Sequence, residues 1–200
     1  ERLFSARMAR LRKFSAYQKI ERPYTRTSKY TKESFVKSRP HLTITRFEHG
    51  DCKGKFDVTF NLISEQNRQV RHNALESARQ SSNRVLESAL GKNGYFLKIR
   101  KYPFHVLREN AMATGAGADR MSQGMTHAFG KPISAAAQVF IGDIVFEVRV
   151  NRKDIKLAKL ALHRAMRKLP CTCRTVEMVK KELLQKQHKK PMEALAVAEA

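Results

Sequence analysis

No stretch of this chain is apolar for long enough to form a membrane-spanning helix. The longest apolar runs, at residues 135–141 and 144–150, fall far short of the roughly 20 residues such a helix needs. Cysteine is scarce: only Cys52, Cys171 and Cys173 occur, an odd, small number that suits a reducing compartment and argues against a disulfide framework. The first seven residues precede Met8, a candidate start, and lack the apolar stretch of a secretory signal, so a cytoplasmic location is expected. There is no internal repeat. Acidic side chains are in short supply too, with 18 Asp and Glu against 40 Lys and Arg, a net charge of +22 and a pI near 10.4. Such an excess repels itself unless a polyanion neutralises it. With no spanning segment, nucleic acid is the expected partner and a membrane is not.

What is present fits one domain with extensions: 200 residues, 42% hydrophobic, is enough for one well-buried core. Charge is uneven. Residues 1–55 carry a net +10, 56–110 carry +4, 111–150 carry none and 151–200 carry +8. The ends are basic and the middle is apolar. Residues 1–40 interleave Arg and Lys with aromatics and show no sustained period, which predicts a basic, extended, unpacked arm. A single α+β domain is expected over 41–176, and a basic extension, helical and then frayed, over 177–200.

Within the domain, residues 42–47 (LTITRF) and 55–63 (KFDVTFNLI) read as strands around a turn. His72–Leu90 reads as a helix by its 3.6 period and is ended by GKNG. Residues 95–106 return to strand, with Pro103 at a kink. Residues 139–150 predict a hairpin turning at Gly142 and Asp143, and residues 152–169 a second helix with Lys156, Lys159, Arg167 and Lys168 outward. Between them lies a glycine-rich stretch, 110–131, too long and too poor in large apolar side chains for a core element, which predicts a mobile, functional loop.

Two patterns suit RNA. In ERPYTRTSKYTK, Arg22, Arg26 and Lys29 can neutralise phosphates while Tyr24 and Tyr30 can stack on unpaired bases. The cations of the second helix sit in a +8 region and are expected to meet phosphates as well. GAGADR lacks the third glycine of a dinucleotide fingerprint and the GK[ST] of a P-loop. His105, Asp119 and His127 are spaced like no metal or catalytic motif, and Cys171 with Cys173 is a lone CxC pair. No cofactor or metal is expected. An enzyme acting on RNA through His105 or His127, and a free nucleic-acid-binding regulator, are the alternatives.

Longer segments carry a family resemblance. RHNALESARQSSNRVLE (71–87), YFLKIRKYPFHVLRENAMATGAGADRMSQGM (95–125) and AFGKP (128–132) closely resemble the universal large-subunit ribosomal protein family called L-sixteen in bacteria, and L-ten-e or QM protein in archaea and eukaryotes. RPYTR and KLPCTCRTVE resemble its archaeal branch. The likeness runs from about residue 20 to 177; residues 1–7, 27–41 and those after 178 depart from the pattern, so contacts assigned there rest on charge alone. The resemblance implies an α+β fold with a mixed sheet of hammerhead type packed against two helices, and no catalytic chemistry. It implies a structural subunit that binds large-subunit rRNA near the central protuberance and helps position tRNA in the A-site/P-site cleft. Neighbouring ribosomal proteins and factors of ribosome assembly and export are implied as further partners. The tRNA-proximal loop then comprises Ala113, Gly115, Gly117, Asp119, Arg120, Ser122, Gly124 and Met125, followed by Lys131.

Overall fold

The computed structural model describes residues 12–112, 115–121 and 124–179. In chain order these form β1 (Glu48–Gly50), β2 (Val58–Ser64), β3 (Arg68–Arg71), α1 (His72–Leu90), β4 (Phe96–Ile99), β5 (His105–Glu109), the single turn α2 (Ala118–Met121), β6 (Lys131–Val139), β7 (Ile144–Val150), α3 (Ile155–Met166) and β8 (Cys173–Val179). The α+β class with its two long helices stands. The strands divide into a five-stranded sheet, ordered β1-β4-β7-β2-β8, and a three-stranded sheet, β3-β6-β5. Each ladder is antiparallel, where the resemblance implied one mixed sheet.

Period explains the packing. Alternate residues Val58, Phe60 and Leu62 of β2 stand opposite Val150, Val148 and Phe146 of β7, and all six are buried. Against them lies α3, which buries Ala158, Ala161, Leu162 and Ala165. α1 presents Leu75, Ala78, Val85 and Leu86 to β3, β6 and α3. Each large side chain removed from water this way contributes about 1.5–3 kcal/mol. α1 stops at Gly91, whose φ of +68° and N–H bond to the Glu87 carbonyl close the last turn.

Several expectations are corrected. Residues 42–47 are not a strand: Ile44 enters the core, but the Phe47 carbonyl, bonded by the Ile99 N–H at 2.9 Å, only leads into the ladder that begins at Glu48. Residues 95–106 break at buried Pro103, and their halves join different sheets. The 139–150 hairpin does not form. Its turn chemistry is correct, with Gly142 at φ +87° and the Asp143 carboxylate accepting from the Phe140 N–H at 2.8 Å. Both edges of β6 are taken by β3 and β5, however, and both edges of β7 by β2 and β4, so the two strands diverge. β6 begins at Lys131, where the expected loop ends. Residues 173–179 are strand, held along β2 from Cys173 to Val179; the helix expected farther on lies outside the described residues.

Candidate nucleic-acid interface

From residue 12 the N-terminal segment has no strand of its own and two short 3-10 turns, Phe14–Tyr17 and Thr31–Glu33, and it is not the unpacked arm that its composition predicts. Gln69 of β3 and Gln138 of β6 donate side-chain amides to the carbonyls of Lys19 and Glu21, the latter at 2.5 Å. On β5, His105 Nδ1 accepts the backbone N–H of Tyr24 at 3.1 Å. One polar side chain from each strand of the smaller sheet thus holds one point of a strap laid across it. Arg71 adds a bond to the Lys13 carbonyl and stacks over Tyr17 at 4.5 Å. The register explains the shared face: Gln69 pairs with Gln138, and Arg71 and His105 both pair with Ala136, while Val70, Ala137 and Val139 point the other way into the core. Farther along, Val36 is buried, and His72 Nδ1 accepts the N–H of Thr43 at 3.1 Å. Burial holds the pKa values of His72 and His105 below the ordinary histidine value, with His41 and Arg71 adding to the effect at His72 and Glu21 partly opposing it at His105.

Where the strap turns back, it meets the segment before β6 and forms a cleft of about 830 Å³. Its lining includes the cations Lys32 and Lys37 from the strap and Lys131 from β6, together with Phe35, Phe129 and His127. Arg108 builds this cleft. Its three nitrogens donate to the carbonyls of Phe129 (3.2 Å), Phe35 (2.9 Å) and Gly130 (2.7 Å), and its guanidinium lies 3.9 Å over the Phe129 ring. Gly130 permits the approach: at φ +73°, a Cβ there would stand 2.4 Å from the Glu109 carbonyl carbon. Phe35 and Phe129 remain 41% and 49% exposed. Among the described residues, no carboxylate pairs with Lys32, Lys37 or Lys131. Elsewhere carboxylates are engaged: Glu76 with Arg79 at 2.5 Å, Glu147 with Arg100 and Arg149, Asp143 with Lys101. Charge–charge bonding from Arg79 holds Glu76 below the usual carboxylate range.

A second basic groove, of about 390 Å³, runs between the long helices and is lined by Ser77, Gln80, Ser81, Arg84, Arg164 and Lys168. Lys156, Lys159, Arg167 and Lys168 are all exposed, as the helical period predicts. Lys159 is partly spent, 3.6 Å from Glu177 and 5.6 Å from the Phe60 ring centre. On the strap, Arg22 and Lys29 are exposed, and Tyr30, at 66% exposure, is free to stack. Arg26 is exposed but lies 3.7 Å from Glu33. Tyr24 is turned inward instead: its ring stacks on His105 at 5.5 Å and meets Phe129 edge-on at 5.4 Å. Lys37, Arg84, Arg108, Phe129 and Arg164 carry no signal of their own in the sequence, and Lys32 and Phe35 stand out only as members of the basic, aromatic N-terminal stretch. The cleft residues come from distant segments, and Arg84 and Arg164 lie on separate helices, so no local motif marks them.

Of the loop residues, Gly115, Gly117, Arg120 and Met125 are exposed, and Gly124 accepts a bond from the Asn110 side chain at 3.0 Å. Ala113, Ser122 and the Asp119 side chain lie outside the described residues. Among the described residues no three His, Cys, Asp or Glu side chains, His105 and His127 included, come together in a way that could hold a metal ion. No helix of the described residues is long and apolar enough to cross a membrane.

Comparison with known proteins gives one consistent answer. A family model described as ribosomal protein L16p/L10e matches residues 24–176. The chain is 48% identical over 160 residues to the large ribosomal subunit protein uL16 of Picrophilus torridus, covering 79% of this chain and 91% of that one. It is 49% identical over 147 residues to the uL16 of Staphylothermus marinus, covering 74% and 84%. With the uL16 of Methanococcus maripaludis it shares 40% identity over 174 residues, covering 87% and 98%.

Proposed function

Because the chain belongs to the L16p/L10e family of ribosomal proteins, a structural and non-enzymatic part of the large subunit, we propose that it holds rRNA near the central protuberance and helps position tRNA in the A-site/P-site cleft. It acts in the cytoplasm as part of the ribosome, among rRNA and neighbouring ribosomal proteins. The observation that carries the reading is the cleft in which Lys32, Lys37 and Lys131 surround the exposed faces of Phe35 and Phe129 with no carboxylate partner among the described residues. Cations there neutralise phosphates and the rings accept an unpaired base, a combination suited to irregular RNA rather than to a regular duplex. The groove of Arg84, Arg164 and Lys168, with its serines and glutamine, suits a passing backbone.

The loop at 110–131 then serves tRNA. Arg120 is the exposed cation of its 112–125 part and Lys131 follows at its end, and the ordering entropy of the surrounding glycines is met when tRNA arrives. Assembly and export factors are proposed as transient partners of the same basic surfaces. Crosslinking in intact subunits tests the whole reading: contacts from Phe35, Phe129 and Arg84 should map to large-subunit rRNA, and contacts from Arg120 to tRNA. Migration of the native protein apart from the subunit in moderate salt would overturn it.

A further inference from the structure

RNA binding leaves Cys171 and Cys173 without a role. Both are buried, at 6% exposure, on the connection from α3 into β8, and their sulfurs are 3.5 Å apart. The Cys173 thiol also lies 3.6 Å from the Cys171 carbonyl oxygen. Two thiolates alone supply half of a tetrahedral zinc site, and no third His, Cys, Asp or Glu among the described residues completes one. The pair therefore has a simpler chemistry open to it.

We propose that Cys171 and Cys173 form a reversible thiol–disulfide site whose co-reactant is a low-molecular-weight disulfide. The Cys171 thiolate attacks one sulfur of that disulfide, forming a mixed disulfide and releasing the first small thiolate. The Cys173 thiol then loses its proton to water, its sulfur attacks Cys171 Sγ, and the second small thiolate leaves. Two electrons and two protons pass from the protein to the oxidant, which becomes two thiols, while the sulfurs close from 3.5 Å to about 2 Å.

The surroundings divide the two roles. The neighbouring Cys173 thiol, 3.5 Å away, holds the Cys171 thiol below its ordinary value, with the Ser64 side chain and the Arg68 cation acting in the same direction; Cys173, burdened by Cys171, burial and Glu65, is raised. Access requires local opening at the sheet edge. β8 is an edge strand, Cys171 precedes its ladder, and the intervening Thr172 is held through its carbonyl by the Glu65 N–H at 2.9 Å. A disulfide spanning one residue closes a strained ring, which makes it easy to reduce again.

The test uses the full chain carrying Cys52→Ser, so that only the pair can react. Under native conditions with excess oxidised glutathione, the protein should lose the mass of two hydrogens, yield a single Cys171–Cys173 cross-linked peptide, and return to its original mass with dithiothreitol. Adding Cys173→Ser should trap a stable glutathione adduct on Cys171. The proposal is overturned if the pair stays reduced under conditions that modify Cys52 in the unaltered chain, or if the link forms only in denaturant. Should the second variant not fold, the mass of the first decides alone.

Discussion

Gln69 and Gln138 face each other across the β3–β6 ladder, and their side-chain amides grip carbonyls two residues apart on the strap, Lys19 and Glu21. A pair of buried glutamines in a sheet otherwise built for a core is unexplained by packing. Its purpose is to satisfy a backbone that has no strand of its own to pair with.

Replacing Gln138 with Ala leaves the Glu21 carbonyl without this donor, and should cost about 1–2 kcal/mol. Urea unfolding should show the loss, and limited proteolysis should cut the strap around residues 19–24 sooner than in the unaltered protein. Unchanged protease resistance would refute the anchoring role.

Acid should release the strap. His72 and His105 have folded pKa values below the ordinary 6.5. Their contribution is therefore complete above about 6.5 and is lost as pH falls from there through the lower folded values. His105→Gln keeps an acceptor for the Tyr24 N–H but does not titrate, so it should flatten part of the stability curve between about pH 7 and 5. An identical curve would remove His105 from the account.

Salt dependence reads the cleft. With about six phosphates neutralised, log K for an rRNA fragment against log salt should have a slope near −4 to −5, and one shallower than about −2 would sink the electrostatic reading. Lys32, Lys37 and Lys131 changed together to Ala should weaken binding and reduce the slope by up to about 3. Melting temperature should stay the same, since all three side chains are exposed.

Two glycines in the same segment should behave differently. Gly130→Ala forces both a left-handed backbone, at φ +73°, and a 2.4 Å clash with Glu109, so a loss of more than about 2 kcal/mol is expected. Gly117, at φ +78° with nothing within 4 Å, should lose only about 1 kcal/mol on the same change. Chemical denaturation of the two variants ranks them; the reverse order would contradict the packing at the cleft.

Most of the fold was legible where one local signal sufficed. α1 runs His72–Leu90, as its apolar period and closing glycines predict, and the exposed lysines of α3 follow from the same rule. β3 escaped notice because RQVR is four residues long and half of it serves the strap. The β6–β7 connection misled because a correct turn says nothing about which neighbours its strands will find. For the candidate site, charge pointed to the ends of the chain, but the inward turn of Tyr24 and the cleft at Arg108 depend on partners 81 and 73 residues away. Such pairings leave no periodic trace.

The strap's anchors also set an order of events. They join residues separated by 50, 117 and 81 positions in the chain, and contacts of such long range form late. A polypeptide made from its N-terminus presents Arg22, Arg26 and Lys29 to its surroundings before β3, β5 and β6 have been synthesised. The strap's cations are thus exposed first, and only once Gln138 has emerged can the last anchor close.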